Sequence, residues 1–312
     1  MESREFNFKS LVELLISRWK LFVLVALIGA LVGVVISLPV IMPPRFKSTA
    51  VVYPVNVLTY SDESETEQLL QVFESSSVRD SIIEKFDLYS HYGIERGAPA
   101  SRYYLLEEYN DRFIVSKTLY ESVRLEVYDE DPGLAFAMAQ EMLRLVNAKF
   151  NHLANERGRN LAGSFKSQMD YQTSVMDSVN AMIRAISTGK GILDYEAQTR
   201  ELVRGYFESG RGSNAALKKR AEEWLVDLQE EGNAMVALQN VLRLSAERRS
   251  EVERNYLFWR EYEYRDINYL DEIVSPEISD KKAWPVRWLI VVLSTGSALL
   301  LAMVIVALNK SR

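Results

Sequence analysis

The chain has 312 residues, a formal net charge of −6 and no cysteine, and 48% of its residues are hydrophobic. Between Pro43 and Ala283 lie 40 of the 43 acidic residues but only 30 of the 37 basic ones. This acidic middle region disfavours nucleic acid as a partner, because nucleic-acid binding requires a basic face. The lack of cysteine suits an exported domain and leaves no thiolate for a zinc site.

Two long uncharged apolar runs lie near the ends of the chain, from Leu21 to Met42 and from Trp288 to Leu308. Each is long enough to cross the hydrocarbon core of a bilayer, which takes about 20 residues of helix. The first run is too long for a signal-peptide core and has no small-residue cleavage site before Pro43, so we expect it to stay attached. Two spans place both termini on one side of the membrane and the polar middle on the other.

Positive charge near the spans assigns both tails to the cytoplasm, although the margin is small. The tail residues are Arg4, Lys9, Arg18, Lys20, Lys310 and Arg312, and those on the opposite flank are Arg45, Lys47, Lys281, Lys282 and Arg287. The first span usually dominates orientation, and Trp19, Trp284 and Trp288 are placed to anchor the spans at the interfaces. Since the last tail is only Asn309 to Arg312, we expect no cytoplasmic output module.

Small residues recur at every fourth position of the first span, at Gly29, Gly33 and Ser37. Small side chains let membrane helices approach closely, so these residues and Gly296 of the second span are candidate packing positions. The alternative is that glycine is simply common in membrane helices.

Residues 43–134 are predicted to form the first part of a base domain built around a sheet. Phe46–Val55 is rich in β-branched and aromatic residues and predicts a strand just outside the membrane. Apolar and polar residues alternate from Val123 to Tyr128, which predicts a half-buried strand. A last strand is predicted over Ile267–Val274, in the segment 263–284 that leads to the second span.

Short helices are predicted between the first two strands. Ser64 with Glu67, and Ser77 with Asp80, have the spacing of a capping box, and each pair predicts a helix start. A loop is expected over Gly93–Pro99.

A long helix is predicted to begin at Pro132, whose missing N–H costs nothing in the first helical turn. Its periodicity persists to about Ile186, and in its second half the apolar face narrows to a coiled-coil seam. Breaks at Ser187–Gly191 and Ser209–Asn214 precede a return helix, so residues 135–262 predict a long hairpin that projects from the base domain. The predicted hairpin or oligomer seam comprises Leu161, Phe165, Met169, Met176, Val179, Ile183, Trp224, Leu228 and Leu238.

Together these elements predict an α+β membrane protein: two transmembrane helices flank a periplasmic α/β base domain that carries a long, coiled-coil-like helical hairpin. The predicted segments are the N-terminal tail 1–20, first span 21–42, base domain 43–134, hairpin 135–262, last strand and linker 263–284, second span 285–308 and C-terminal tail 309–312. Apolar seams that one hairpin does not fully bury also predict a homo-oligomer.

Patterns that would indicate catalysis or metal binding are weak. Asp129, Glu130 and Asp131 form a tight carboxylate cluster, which we interpret as charge complementarity at the start of the long helix. His91 and His152 are far apart in the sequence, and we interpret both as surface or packing residues. No nucleophile elbow or phosphate-binding loop is present. We therefore predict no catalytic residue, no metal and no cofactor.

Several segments resemble the chain-length determinant (Wzz-like) family of polysaccharide co-polymerases. They are the strand RFKSTAVVYP after the first span, the segment Ser64–Tyr92, the segment Ser122–Met142 with Asp131 and Pro132, and the final linker with Pro276 and Pro285. The linker is poorer in proline than in many members. No kinase region follows the second span, so the chain does not resemble the members that are fused to a tyrosine autokinase.

This resemblance implies a function that the residues alone do not give. Such proteins form rings in the bacterial inner membrane beside the polymerase that extends lipid-linked glycans, and they set the modal length of O-antigen, capsule or exopolysaccharide without being enzymes. The implied partners are further copies of the chain, the membrane, a glycan polymerase and lipid-linked polysaccharide.

Other functions stay open at this point. The chain could be an inner-membrane adaptor of a polysaccharide exporter or tyrosine kinase, a periplasmic sensor, or an enzyme. Basic clusters at Lys218–Arg220 and Arg248–Arg249 could contact an anionic sugar polymer, although a solvated helix face is the favoured interpretation.

Overall fold

The computed structural model of the chain describes residues 17–209 and 215–311. The protein divides into two compact units: Met1–Phe150 together with Asn268–Arg312, and Asn151–Ile267. The first unit holds both apolar terminal helices and a sheet, whereas the described part of the second is built from helices. Most of the predicted N-terminal tail, and the predicted break at Ser209–Asn214 after its first residue, lie outside the described residues.

The two apolar runs form helices α1, Trp19–Ile36, and α9, Arg287–Ser311. Both contain a stretch long and apolar enough to cross a membrane, each with a mean hydropathy of 2.6. Helix α1 ends before the apolar run does, and Ser37–Met42 forms turns. Pro39 explains this early end, because it has no N–H for a helical hydrogen bond and disfavours helical geometry at the residue before it.

The first unit contains an antiparallel five-stranded sheet in the order β2-β3-β1-β4, with β5 paired to the start of β1. The strands are β1 Arg45–Pro54, β2 Phe113–Lys117, β3 Val123–Asp129, β4 Leu270–Val274 and β5 Lys282–Trp284. The three predicted strands are present. The sequence patterns do not predict strands β2 and β5, because each strand is short and is defined by its pairing with a neighbouring strand.

Four helices connect β1 to β2, and with the beginning of the next helix they provide the core of the first unit. They are α2 Glu65–Phe73, α3 Ser76–Lys85, α4 Leu88–His91 and α5 Ser101–Arg112. Alternate residues of β3, namely Val123, Leu125 and Val127, are fully buried, as the sequence pattern predicts. The residues between them point to the other face of the sheet, which stays accessible.

One of the two predicted capping boxes is confirmed. The Ser64 hydroxyl accepts a hydrogen bond from the Glu67 N–H at 3.2 Å, and the Glu67 carboxylate accepts one from the Ser64 N–H at 3.0 Å. The box predicted at Ser77 is wrong, because α3 already begins at Ser76. The hydroxyl of Ser75 donates to the Val72 carbonyl at 2.7 Å and closes a turn tight enough to start the helix early.

The second unit contains an antiparallel pair of long helices, so the predicted helical hairpin is present. Helix α6 runs over Pro132–Lys190 and begins in the first unit, α7 covers Tyr195–Ser209, and α8 covers Ala215–Tyr262. Polar contacts pair α6 with α8 in opposite directions along the second unit: Arg249 Nε to Thr173 Oγ1 at 3.2 Å, and Lys190 Nζ to Asp227 Oδ1 at 2.8 Å. Helix α6 ends at Lys190, so the break predicted to start at Ser187 begins only at Gly191, whose φ of +71° is a conformation that glycine adopts without strain.

Candidate functional surfaces

The two apolar helices pack against each other through the small residues of α1. A Cβ added to Gly29 would lie 2.9 Å from Ala298 Cβ and 3.1 Å from Thr295 Cα, and one added to Gly33 would collide with the Ser294 hydroxyl. The Ser294 hydroxyl also donates to the Gly29 carbonyl at 2.9 Å. These contacts need backbones that approach closely, which only small residues allow.

This helix pair is antiparallel. Gly33 lies against the start of α9, Gly29 against its middle, and Phe22 forms a small cluster with Ala302 and Val306. The first turn of α1 and the last turns of α9 therefore lie at the same end of the helix pair. Ser294 and Ala298 were not singled out from the sequence, although they repeat the four-residue spacing of small residues seen in the first span.

Two of the candidate packing residues lie outside the close contact. A Cβ at Gly296 would meet nothing within 4 Å, so this glycine does not contribute to pairing within the chain. The Ser37 hydroxyl is buried and donates to the Val34 carbonyl of its own helix at 3.0 Å. The surface around Gly296 remains unoccupied by the rest of the described chain.

Of the side chains named from the sequence for the seam of the second unit, two are buried, six are half-buried and one is exposed. Leu228 and Met235 of α8 form a buried cluster with Ile192, against which Ile183 and Leu202 also pack. The other predicted seam residues that are buried or half-buried are Leu161, Phe165, Met169, Met176, Val179 and Leu238. Trp224 differs, because 51% of its surface is exposed, and the neighbouring Leu225 is half-buried instead.

A buried polar cluster lies where β3 ends in the first unit. The fully buried Asp129 accepts a hydrogen bond from His91 Nε2 at 2.8 Å, and Arg112 Nη1 is 3.7 Å from the same carboxylate oxygen. The other carboxylate oxygen of Asp129 accepts from the Asp131 N–H at 3.0 Å. His91 is exposed at the surface, as interpreted from the sequence, and its ring nitrogen is paired with a buried carboxylate.

The three neighbouring carboxylates have different roles. Asp131 accepts hydrogen bonds from the Gly133 and Leu134 N–H groups at 2.7 and 3.4 Å, so it caps the start of α6 as its position predicts. Glu130 is exposed and lies 3.9 Å from Arg112. The carboxylate of Asp129 does not cap α6 but belongs to the buried polar cluster with His91 and Arg112. The resemblance singles out Asp131 and Pro132, and both belong to this helix start.

The polar cluster borders an open cavity of about 420 Å³ lined in part by Tyr92, Arg112 and Leu134. The Arg112 guanidinium lies 4.3 Å from the centre of the Tyr92 ring, which is the arrangement of a cation–π contact. Burial raises the pKa of Tyr92 well above its usual value, so its hydroxyl stays protonated at neutral pH. In the described parts of the chain, no group of three or more His, Cys, Asp or Glu residues is arranged to hold a metal ion.

The two prolines of the final linker are buried within the first unit. Pro276 follows β4, and Pro285 lies between β5 and α9. The carbonyl of Glu277, next to Pro276, accepts a hydrogen bond from the buried Ser48 hydroxyl of β1 at 3.0 Å. The linker is thus attached to the central strand of the sheet.

Comparison with solved structures finds similar proteins at low sequence identity. A full-length bacterial polysaccharide co-polymerase is 11% identical, with 98% of each chain covered and a TM-score of 0.42. The lipopolysaccharide O-antigen chain-length regulator of Shigella flexneri is 13% identical, with 76% of this chain and 99% of that chain covered and a TM-score of 0.30. The periplasmic domain of a chimeric O-antigen chain-length regulator is 10% identical, with 77% and 100% covered and a TM-score of 0.29.

No curated protein matches the chain. Residues 4–91, which include the first span, β1 and the helices α2 to α4, match the family model described as "Wzz: Chain length determinant protein". The resemblance predicted from the sequence is therefore confirmed: residues 4–91 of the chain are similar to the chain length determinant (Wzz) family.

Proposed function

We propose that this protein is a non-enzymatic regulator of the chain length of a surface polysaccharide. The observation that carries the proposal is the match of residues 4–91 to the chain length determinant family. The antiparallel pair of apolar helices supports a membrane-anchored hairpin with both tails on one side. We place the tails in the cytoplasm and the residues between the helices in the periplasm, on the ground of the positive charge of the tails.

The finer parts of the proposal are assembly and partnership. We propose that several copies form a ring in the inner membrane and act beside a glycan polymerase on lipid-linked polysaccharide. Exposed apolar side chains in the second unit, among them Phe207, Trp224 and Leu244, are available for contact with neighbouring copies. The partner in the membrane would be met through the remaining surfaces of α1 and α9, including the open surface around Gly296.

The direct test is deletion of the gene in the source bacterium, followed by electrophoresis of the surface glycan. We expect synthesis to continue while the preferred length disappears from the ladder, and expression of the intact chain to restore it. Complete loss of the glycan would instead indicate an enzyme or an exporter component. An unchanged ladder would exclude a role in length control.

A matched pair of variants tests whether the helical hairpin takes part in length control. Leu228 and Leu244 both belong to α8, but Leu228 is 3% exposed and Leu244 is 55% exposed. Leu228→Glu buries a carboxylate without a partner, which lowers the free energy of unfolding by about 3 kcal/mol or more. We expect it to change the glycan ladder, whereas Leu244→Glu should preserve folding. If only Leu244→Glu changed the ladder, its exposed surface, and not hairpin packing, would control length.

A further inference from the structure

A second cavity lies at the end of the sheet nearest the two apolar helices. Its volume is about 470 Å³, and it is lined by Arg45, Lys47, Asp111, Ile114, Tyr128, Ala283 and Trp284. Arg45 is the first residue of β1 and pairs across the sheet with Trp284, the last residue of β5. Helix α9 starts at Arg287, only three positions after Trp284. If α9 enters a bilayer there, the cavity lies at the level of the lipid headgroups.

The cavity contains an arginine whose hydrogen-bonding capacity is not used up. The Arg45 guanidinium lies 5.4 Å from the centre of the Trp284 ring, and its Nη2 is 3.9 Å from Glu108, too far for a hydrogen bond. Its Nε is buried and has no hydrogen-bond partner within the described residues. Arg45 therefore lies beside the tryptophan ring, and its terminal nitrogens Nη1 and Nη2, which form no hydrogen bond within the described residues, remain donors for an anion.

The other two charged residues of the cavity differ from each other. Lys47 Nζ donates to the Glu126 carboxylate at 2.9 Å, so its charge is largely balanced. Asp111 is exposed, and within the described residues its carboxylate forms no ion pair at 4.0 Å or less. The cavity thus presents a cation with spare donors and a carboxylate with spare acceptors.

A ligand that carries charges of both signs suits this lining better than a simple anion. A phosphate diester accepts charge-assisted hydrogen bonds from arginine, and the flat guanidinium matches two of its oxygens. A primary ammonium donates three hydrogen bonds, which a carboxylate accepts. Tryptophan is enriched at the membrane interface, where one side is apolar and the other is hydrated. A phosphate with no ammonium would instead add negative charge near Asp111, Glu108 and Glu126.

We propose that this cavity binds the headgroup of a phosphatidylethanolamine molecule from the adjoining membrane surface. The phosphate contacts Arg45 with Lys47 nearby, the ammonium contacts Asp111, and the Trp284 ring borders the glycerol end of the headgroup. One bound lipid would connect β1, β5 and the end of α5 to the membrane at the point where the second span begins. The inference rests on α1 and α9 spanning a bilayer and does not depend on the function in length control.

The test measures lipid retention by native mass spectrometry on the full chain in detergent. Phosphatidylethanolamine, phosphatidylcholine and phosphatidylglycerol with identical acyl chains are added separately. We expect the ethanolamine lipid to be retained best, because the trimethylated head of choline cannot donate hydrogen bonds and glycerol has no positive charge. Equal retention of the three lipids would overturn the proposal.

Variants locate the binding site. Arg45→Gln should reduce retention of the ethanolamine lipid about tenfold, because a charge-assisted bond to phosphate is lost. Arg124→Gln is the matched control, since Arg124 is exposed on the same face of the sheet but at the end of β3 away from the cavity. If the two arginine variants have the same effect, the cavity is not the binding site.

Asp111→Asn tests the ammonium contact separately. This exposed side chain can be changed without loss of packing, so the variant decides the outcome even if Arg45→Gln fails to fold. We expect it to remove the preference for ethanolamine over choline, and an unchanged preference would overturn the proposal. The assay contains neither glycan nor polymerase. A negative lipid result therefore does not contradict the function in length control, and a positive one does not support it.

Discussion

Asp129 joins three parts of the first unit through one buried carboxylate. It accepts a hydrogen bond from His91 at the end of α4, lies near Arg112 at the end of α5, and accepts the Asp131 N–H in the turn that leads into α6. A buried carboxylate is tolerated only when it is paired in this way, because transfer of an isolated charge from water is very costly. The cluster is therefore first of all a structural junction.

The consequence can be measured with two amide substitutions. Asp129→Asn removes the charge that faces His91 and Arg112, and we expect it to lower the free energy of unfolding by about 2 kcal/mol. Glu130→Gln changes an exposed neighbour and should alter stability by about 0.5 kcal/mol or less. Chemical denaturation of the two variants in detergent provides the comparison. If Asp129→Asn abolished glycan synthesis while stability and assembly stayed normal, a catalytic role would have to be considered.

Glu141 is a second carboxylate whose surroundings affect stability. Its side chain is 8% exposed, and it accepts hydrogen bonds from Arg144, at 2.6 and 2.9 Å, while Lys85 at the end of α3 lies 2.7 Å away. The Arg144 hydrogen bonds, with a smaller contribution from Lys85, outweigh the effect of burial and lower the pKa of Glu141 to about 2. Lys85 and Glu141 also connect α3 to α6.

This lowered pKa predicts a dependence of stability on pH. The folded-state pKa is below the unfolded value, so the stabilisation is present above about pH 4.5 and is lost as the pH falls towards 2. We expect it to amount to about 2 kcal/mol, because the exposed basic partners are partly screened by solvent. Glu141→Gln should therefore destabilise the protein at pH 7 but make little difference near pH 2. An equal difference at both pH values would contradict the ionic origin.

At the scale of whole elements, the contact between α1 and α9 depends on residues without large side chains. Gly29 and Gly33 lie against Ser294, Thr295 and Ala298, and a serine hydroxyl forms a hydrogen bond across the pair. Because lipid and leucine are equally apolar, close packing and hydrogen bonds, and not hydrophobic burial, hold such helices together. The pair is thus sensitive to added volume on one face and tolerant of it on the other.

Gly33→Leu and Gly296→Leu form a matched pair that tests this difference. Overpacking at Gly33 should cost about 1–3 kcal/mol and separate the helices, whereas Gly296 has open space around it. Val25 and Leu299 pack against the same small cluster between the two helices. Because the chain has no cysteine, Val25→Cys with Leu299→Cys can report their proximity through disulfide formation. We expect severalfold slower cross-linking with Gly33→Leu and no change with Gly296→Leu. Equal slowing would mean that the described pairing is not the one in the membrane.

At the scale of the whole molecule, the two apolar helices are antiparallel, so the residues between them all lie on one side of the membrane. The exposed loop Gly93–Pro99 is a suitable insertion site, because Gly93 and Gly97 have positive φ values and no neighbours within 4 Å of an added Cβ. Alkaline phosphatase inserted there should be active if the region is periplasmic. Activity of a reporter that works only in the cytoplasm would reverse the proposed topology.

Local patterns in the sequence are enough to predict the two apolar helices, three of the five strands, the Ser64 capping box and the long helices. Each of these depends on the periodicity or spacing of neighbouring residues, which is visible without knowledge of the fold. The resemblance to the chain length determinant family also follows from such contiguous segments. The short strands β2 and β5 do not follow from such patterns: β5 has three residues and pairs with β1, which is distant in sequence, whereas β2 has five residues and pairs with the nearby β3.

The candidate sites depend on contacts between distant residues. His91 meets Asp129 across 38 positions, and Arg45 reaches Trp284 only because β1 and β5 pair in the folded chain. The sequence indicates that Gly29 can allow close packing, but not that Ser294 is the residue opposite it. Helix periodicity identifies which residue types share a face, whereas strand register and helix pairing determine which side chains meet, since both are set by burial in the assembled fold.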